Sequence, residues 1–95
     1  MQKNWITSML ERGDPMTIGI AVKERILELC REYDLSINML CTISGVTQST
    51  VNNIISGRNK SVTISTIKKL CDGLKITIQD FFNSELFLDL EQEVK

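Results

Sequence analysis

A short pattern that recurs four times along this 95-residue chain constrains its fold more than any other feature. In each instance an apolar residue precedes a serine or threonine, and a second apolar residue follows four positions after the hydroxyl. The hydroxyl residues are Ser36, Thr47, Thr63 and Thr77. A hydroxyl oxygen before a helix accepts a hydrogen bond from a free backbone N–H, and the apolar pair packs across the helix start. The pattern therefore predicts four helix N-termini.

A longer amphipathic segment precedes these four. Val22, Ile26, Leu29 and Tyr33 recur in it at intervals of three and four residues, with charged residues on the other faces. No segment alternates with the period of a β-strand for long enough to compete with a helix. The expected fold class is therefore all-α with five helices. Their expected ranges are residues 19–34, 36–43, 47–56, 63–73 and 77–83.

Glycines punctuate the predicted helices. Gly45 and Gly57 follow the second and third helices, and Gly73 lies near the end of the fourth. Glycine adopts the left-handed backbone conformation that often ends a helix. We therefore expect all three glycines to mark helix C-termini.

Composition argues against catalysis. The chain has no histidine, which removes the commonest general base and a frequent metal ligand. Cys30, Cys41 and Cys71 match no zinc-binding spacing, and three cysteines cannot form a closed set of disulfides. We interpret them as buried small side chains in a reducing cytoplasm. We expect no enzyme, no metal site, no cofactor, no membrane span and no signal peptide.

Charge is distributed unevenly. The formal net charge is −1, yet residues 44–75 carry five cations against one carboxylate, a net +4. Residues 76–95 carry one cation against five carboxylates, a net −4. A phosphate backbone responds to the local field, so the basic segment is compatible with nucleic-acid binding despite the acidic total.

The helices predicted at 36–43 and 47–56 are separated only by Ser44, Gly45 and Val46. So short a turn forces two helices to cross steeply, which is the helix-turn-helix arrangement. Over about residues 19–83 the sequence resembles the lambda-repressor/Cro-like family, also called the XRE family. The residues that carry this resemblance are Leu35, Ser36, Leu40, Cys41, the run 45–51, Ile54, Gly57, Ile64, Ile67, Leu70, Leu74, Phe81 and Phe82.

The resemblance implies a five-helix, lambda-repressor-like DNA-binding domain whose second motif helix enters the major groove. Glutamine and asparagine amides on that helix match adenine N6 and N7, while hydroxyls and the helix N-terminus suit phosphate contacts. The loop after the helix is where the family commonly touches the DNA backbone. The predicted DNA-binding residues are Thr47, Gln48, Ser49, Thr50, Asn52, Asn53, Arg58, Asn59 and Lys60.

Two positions depart from the family pattern. The family usually has glutamine at the position of Ile37, where it helps to hold a phosphate, and often has proline at the position of Val62. Isoleucine cannot bind a phosphate, so the family's phosphate contact at Ile37 is not expected here.

We divide the chain into an N-terminal arm (1–17), the helix-turn-helix domain (18–83) and an acidic apolar tail (84–95). The arm contains a short amphipathic run formed by Trp5, Ile6, Met9 and Leu10. In the tail, Leu86, Leu90 and Val94 share a predicted helical face, which either packs back on the domain or forms a dimer contact.

The leading functional hypothesis is a cytoplasmic, nucleoid-associated transcription regulator, repressor-like, that binds double-stranded DNA with a palindromic sequence as a homodimer. The alternative is an antitoxin-like or other protein-interaction module that uses the same fold, with the acidic tail as its contact surface.

Overall fold

The structure is a computed structural model that describes residues 16–58 and 61–93. Within these residues it contains five α-helices and one short 3-10 helix, and it has no β-strand. The predicted all-α fold is thus confirmed, and every observed helix end lies within two residues of its predicted position. The helices are α1 Ile18–Glu32, α2 Ile37–Ser44, α3 Gln48–Ile55, α4 Ile64–Leu74 and α5 Ile78–Phe82, and the 3-10 helix is Glu85–Phe87.

The four predicted N-caps are confirmed. The hydroxyl oxygens of Ser36, Thr47 and Thr63 each accept a hydrogen bond from the backbone N–H three residues later, at 3.1–3.2 Å. Thr77 accepts from Asp80 N–H at 2.9 Å, and Asp80 Oδ2 accepts from Thr77 N–H at 3.2 Å, which completes a capping box. Replacing such a cap by alanine typically lowers the free energy of unfolding by about 1 kcal/mol. Because each cap bond joins residues three positions apart, the helix starts are encoded in the local sequence.

A fifth instance of the pattern, not predicted from the sequence, opens α1. Thr17 Oγ1 accepts from Ile20 N–H at 3.2 Å. Met16 precedes this hydroxyl and Ala21 follows it by four positions, and the two side chains are buried in one small cluster. The apolar pair therefore packs across the start of α1, as a hydrophobic staple does.

The main core lies where the five helices meet. Its largest fully buried side chains come from every helix and are Ile26, Leu40, Val51, Ile54, Leu70, Cys71 and Phe81. Phe81 extends this core towards Phe82 and Phe87, whose rings stack edge to face with a centroid separation of 4.9 Å. Burying each large aliphatic or aromatic side chain contributes about 1.5–3 kcal/mol, so this core is the main source of stability.

Gly73 does not cap α4, and the prediction that it would is wrong. Helix α4 continues through Leu74, and Lys75 takes the left-handed conformation instead, with a φ of 59°. Gly73 lies where α4 packs on the end of α2. A Cβ atom at this position would stand 2.7 Å from Ser44 Cα and 2.9 Å from the carbonyl oxygen of Ile43. The glycine is required because two helix backbones meet there without room for a side chain.

A buried arginine joins α1 to α5. Arg25 donates from Nε to the carbonyl oxygen of Phe81 at 2.6 Å and from Nη2 to that of Asp80 at 2.8 Å. Its Nη1 contacts Glu28 Oε1 at 2.5 Å. Carbonyls at the end of a helix have no partner within that helix. Arg25 therefore supplies the C-terminal hydrogen bonds that a helix of five residues lacks.

The C-terminal tail packs along α1, but not as a helix. Only Glu85–Phe87 are helical, and residues 88–93 have no regular structure, so the predicted helical face is wrong over these residues. Val94 lies outside the described residues. Leu86 is nevertheless buried against Met16 and Ala21, with Leu90 beside them. The backbone N–H of Glu91 donates to the carbonyl oxygen of Met16, just before α1, at 3.0 Å, so this amide is not available for a hydrogen bond within a helix.

All three cysteines are free and buried. Burial raises the pKa of the Cys30, Cys41 and Cys71 thiols, and the neighbouring Cys41 raises that of Cys30 further. Because the thiolate is the reactive form, burial and a raised pKa both lower the reactivity of these thiols in the folded protein.

We expect Gly73→Ala to lower the free energy of unfolding by about 1–3 kcal/mol, since the added methyl group must separate α2 from α4. Urea unfolding followed by circular dichroism measures the change. Lys69→Ala, on the exposed face of the same helix, is the control and should stay within about 0.5 kcal/mol of the parent. Equal stability of Gly73→Ala and Lys69→Ala would contradict the close packing.

We expect the free energy of unfolding to fall as the pH rises above about 8.5, the ordinary thiol pKa. The unfolded thiols ionise there while the folded thiols, with raised pKa values, stay protonated, so ionisation favours the unfolded chain. Urea midpoints compared across this pH range test the effect. Cys41→Ala, which retains a small side chain, should reduce the pH dependence, and an unchanged dependence would refute the assignment.

Candidate nucleic-acid interface

The turn between α2 and α3 fixes their relative orientation. Gly45 adopts a left-handed φ of 68°, and its N–H donates to the carbonyl oxygen of Cys41 at 2.9 Å. The N–H of Val46 reaches the same carbonyl at 3.3 Å, and the Val46 side chain is buried. A β-carbon disfavours this conformation, which accounts for the glycine. The conformation of this turn therefore fixes the direction in which the chain leaves α2, and α3 begins after Thr47.

Helix α3 has one buried face and one exposed face. Val51 is fully buried and Ile54 is 2% exposed, and both belong to the main core. Gln48, Ser49 and Asn52 are exposed, whereas Thr50 and Asn53 are half-buried. The structure thus brings five predicted site residues together on one short helix and exposes three of them to solvent.

The N-terminus of α3 is suited to an anion. Thr47 Oγ1 accepts from Thr50 N–H at 3.2 Å and lies 2.9 Å from Thr50 Oγ1. The first N–H groups of a helix lack intrahelical acceptors and form the positive end of the helix dipole. Thr47 satisfies one of these groups, and those of Gln48 and Ser49 remain at the exposed end of the helix. A phosphate oxygen fits this position.

A hydrogen bond that was not predicted from the sequence joins α2 and α3 at this end. Gln48 Nε2 donates to Asn38 Oδ1, and both side chains are exposed. Ile37, the position flagged as a departure from the family, is half-buried against the main core. Because Nε2 carries two N–H groups, Gln48 retains one donor and its carbonyl acceptor for another partner. In the sequence, Asn38 is marked only as a polar residue next to Ile37 at the start of α2, and this does not indicate a contact with α3.

The remaining predicted residues follow the other end of α3. Arg58 is exposed, and its Nε donates to Ser56 Oγ at 3.1 Å. An eight-residue helix is about 12 Å long, so Arg58 and Gln48 contact different parts of any shared ligand. Asn59 and Lys60 lie outside the described residues, so their predicted roles stay predictions.

The segment that contains α2 and α3 carries no negative charge. There is no carboxylate between Asp34 and Asp72 in the sequence, whereas Arg58, Lys60 and Lys68–Lys69 fall in this interval. Lys68 forms an ion pair with Asp72 one helical turn away, which offsets part of its charge. The three carboxylates of α1 are matched by three cations, whereas residues 76–95 carry a net charge of −4. A polyanion therefore meets an attractive field beside α3 and a repulsive one at the C-terminal segment.

Other kinds of site have less support in the described part of the chain. No cluster of His, Cys, Asp or Glu among these residues could hold a metal ion. No helix in the described ranges is long and apolar enough to cross a bilayer. The exposed polar face of α3, with the helix N-terminus beside it in a segment without carboxylates, is the candidate functional site.

The fold and this site define a helix-turn-helix protein. A family model described as a Cro/C1-type HTH DNA-binding domain matches residues 25–85. The chain therefore belongs to the Cro/C1-type helix-turn-helix family of DNA-binding proteins, as its resemblance to lambda-repressor/Cro-like sequences predicted. No curated protein matches it.

A solved structure supports the same fold. The crystal structure of the prophage Lp1 protein 11 is similar to this chain with a TM-score of 0.69 and 40% sequence identity. The match covers 78% of this chain and 97% of that one. Both comparisons confirm the predicted lambda-repressor-like helix-turn-helix fold, and the described residues form the five predicted helices.

Proposed function

We propose that this protein is a sequence-specific transcription regulator, repressor-like in action, that binds a palindromic DNA operator as a homodimer. The observation that carries the proposal is the exposed amide and hydroxyl face at the N-terminus of α3, presented on a segment without carboxylates. Membership of a DNA-binding family supports the same ligand.

In this proposal α3 enters the major groove with its N-terminal residues at the base edges. Gln48 is placed to pair with adenine, donating to N7 with its remaining N–H and accepting from N6 with Oε1. Ser49 and Asn53 read neighbouring bases, with Asn52 at the edge of the contact. Thr47, Thr50 and the first N–H groups of α3 hold a phosphate.

The loop after α3 contacts the DNA backbone in this proposal. Arg58, Asn59 and Lys60 provide charge and hydrogen-bond donors to phosphates, which give affinity but little sequence information. The local net charge of residues 44–75 is only +4, so non-specific affinity should be modest. Specific binding then depends mainly on the contacts of α3.

A homodimer follows from the small size of the interface. One helix contacts few base pairs, and two copies related by a two-fold axis double the number of base pairs that are contacted. Half-sites would lie about 10 base pairs apart, one turn of DNA. We place the protein in the cytoplasm at the nucleoid, where its three free thiols stay reduced. It acts without enzymatic activity or a cofactor.

Selection of DNA from a random-sequence pool, followed by binding titrations at several salt concentrations, tests the proposed function. We expect a palindrome to be enriched and the logarithm of affinity to fall linearly with that of salt. Sequence-blind binding that disappears near physiological salt would refute it. That outcome would favour the protein-interaction alternative, for which Leu88, 81% exposed in the acidic tail, is the first residue to replace.

We expect Gln48→Ala to cost about 1–3 kcal/mol at one base position of the selected site and to relax preference there. Lys60→Ala should instead weaken binding to all sequences alike and flatten the salt dependence. Affinities for the selected site and its single-base variants separate the two effects. An unchanged base preference in Gln48→Ala would show that the proposed placement of α3 in the groove is wrong.

We expect Asn38→Ala to weaken specific binding by about 0.5–1.5 kcal/mol, because Gln48 loses the acceptor that orients it. In the Gln48→Ala background the same change should have a smaller effect, since its partner is already absent. Met39→Ala, at the neighbouring exposed position of α2, is the control and should be neutral. Additive effects of Asn38→Ala and Gln48→Ala would contradict the positioning role.

A further inference from the structure

The serine that ends α3 holds the arginine that follows it. Ser56 is the C-cap residue of this helix, and its hydroxyl oxygen accepts a hydrogen bond from Arg58 Nε at 3.1 Å. The backbone N–H of Arg58 donates to the same oxygen at 3.5 Å. The hydroxyl in turn donates to the carbonyl oxygen of Asn53 at 3.2 Å. A hydroxyl has one donor and two acceptor positions, so these contacts use the whole hydrogen-bonding capacity of Ser56.

The backbone at this helix end accounts for the orientation of the hydroxyl. In a continuing helix the N–H of Gly57 would bond to the carbonyl oxygen of Asn53, but it donates to that of Ile54 at 3.1 Å instead. The carbonyl of Asn53 is thus left for the hydroxyl of Ser56. Gly57 has a left-handed φ of 83°, which glycine adopts without strain. This turn returns the side chain of Arg58 to the end of α3.

The bond to Ser56 leaves the outer part of the Arg58 guanidinium available to a ligand. Among residues 16–58 and 61–93, only its Nε donates to another side chain, and no carboxylate pairs with it. Nη1 and Nη2 therefore keep their N–H groups, which have the spacing to bind two oxygens of one phosphate. An arginine that is already held loses less side-chain freedom when it binds such a group.

We propose that Ser56 is a positioning residue for DNA binding: it holds Arg58 at the C-terminal end of α3 so that Nη1 and Nη2 together contact one backbone phosphate. This role rests on the proposed function, since it needs a phosphate backbone beside α3. Arg58 then has a fixed position relative to the face of α3 that contacts the bases. Its phosphate contact thereby helps to set where α3 lies in the groove.

The hydrogen bond itself is tested without DNA. In NMR spectra of the isotope-labelled protein, the exchange of the Arg58 Nε–H with water reports on whether this group is bonded. We expect Ser56→Ala to raise the exchange rate severalfold at constant pH, and Ser56→Thr, which retains a hydroxyl, to keep the exchange slow. Ser65→Ala, which changes an exposed serine of α4, is the matched control and should have no effect. Equal exchange rates in the parent protein and in Ser56→Ala would overturn the proposal.

The positioning role is tested by affinity for two probes, a random-sequence DNA duplex and the site selected from a random pool. We expect Ser56→Ala to weaken binding to both by about 3-fold to 10-fold, the usual effect of losing one hydrogen bond. Base preference and salt dependence should not change, because the charge of Arg58 is retained. Arg58→Ala should instead flatten the salt dependence, and Ser56→Thr should bind like the parent protein.

A double-mutant cycle separates positioning from a purely structural role. In the Arg58→Ala background, Ser56→Ala should have no further effect on affinity, since the group that it positions is absent. A loss that persists in full in this background would show that Ser56 supports α3 rather than Arg58, and would overturn the proposal. Unchanged affinity in Ser56→Ala would overturn it as well.

Failure of the proposed function would be visible in the parent protein. A parent that binds neither probe would refute both DNA binding and the role of Ser56 in it, whatever the NMR spectra show. A parent that binds DNA, together with a Ser56→Ala variant of equal affinity, would leave the proposed function standing and refute the positioning role alone.

Discussion

The packing of α4 against the end of α2 determines how this protein presents its functional helix. The backbones meet at Gly73 and Ser44, where a Cβ atom would lie 2.7 Å from the opposing Cα. Helix α2 cannot tilt away without opening this contact, and the turn at Gly45 then directs α3. The exposed face of α3 is therefore set by a contact that involves none of the site residues.

The second constraint is the anchoring of the short helix α5. Five residues cannot provide many internal hydrogen bonds, and Arg25 supplies two of the missing donors to Asp80 and Phe81. Phe81, whose carbonyl oxygen accepts one of these bonds, has a fully buried side chain in the main core. The guanidinium is buried beside the Glu28 carboxylate, so its charge is paired as well as hydrogen-bonded.

The electrostatic design complements the packing. The two helices of the motif lie in an interval of sequence without carboxylates, while the charges of α1 balance and residues 76–95 carry a net charge of −4. The acidic total charge thus coexists with a surface suited to a polyanion. Because screening limits each charge to about 10 Å at moderate salt, the local arrangement matters more than the sum.

The helix starts, the buried faces and the turn of the motif were predictable because each depends on residues a few positions apart. A hydroxyl cap and its apolar pair span six residues, so Ser36, Thr47, Thr63 and Thr77 were recognisable in the sequence alone. The family resemblance added the candidate residues on α3. The role of Gly73, the Arg25 hydrogen bonds and the Asn38–Gln48 pair were not predictable.

Over residues 16–58 and 61–93, the sequence by itself determined the all-α class, the positions of the five α-helices and the helix-turn-helix motif, because local hydrogen bonding and periodicity encode them. Only the tertiary structure decided that Gly73 serves packing rather than capping, that Asn38 holds Gln48, and that the tail follows α1 without being helical. Each of these depends on residues distant along the chain or on adjacent helices, whose contacts exist only once the helices are assembled.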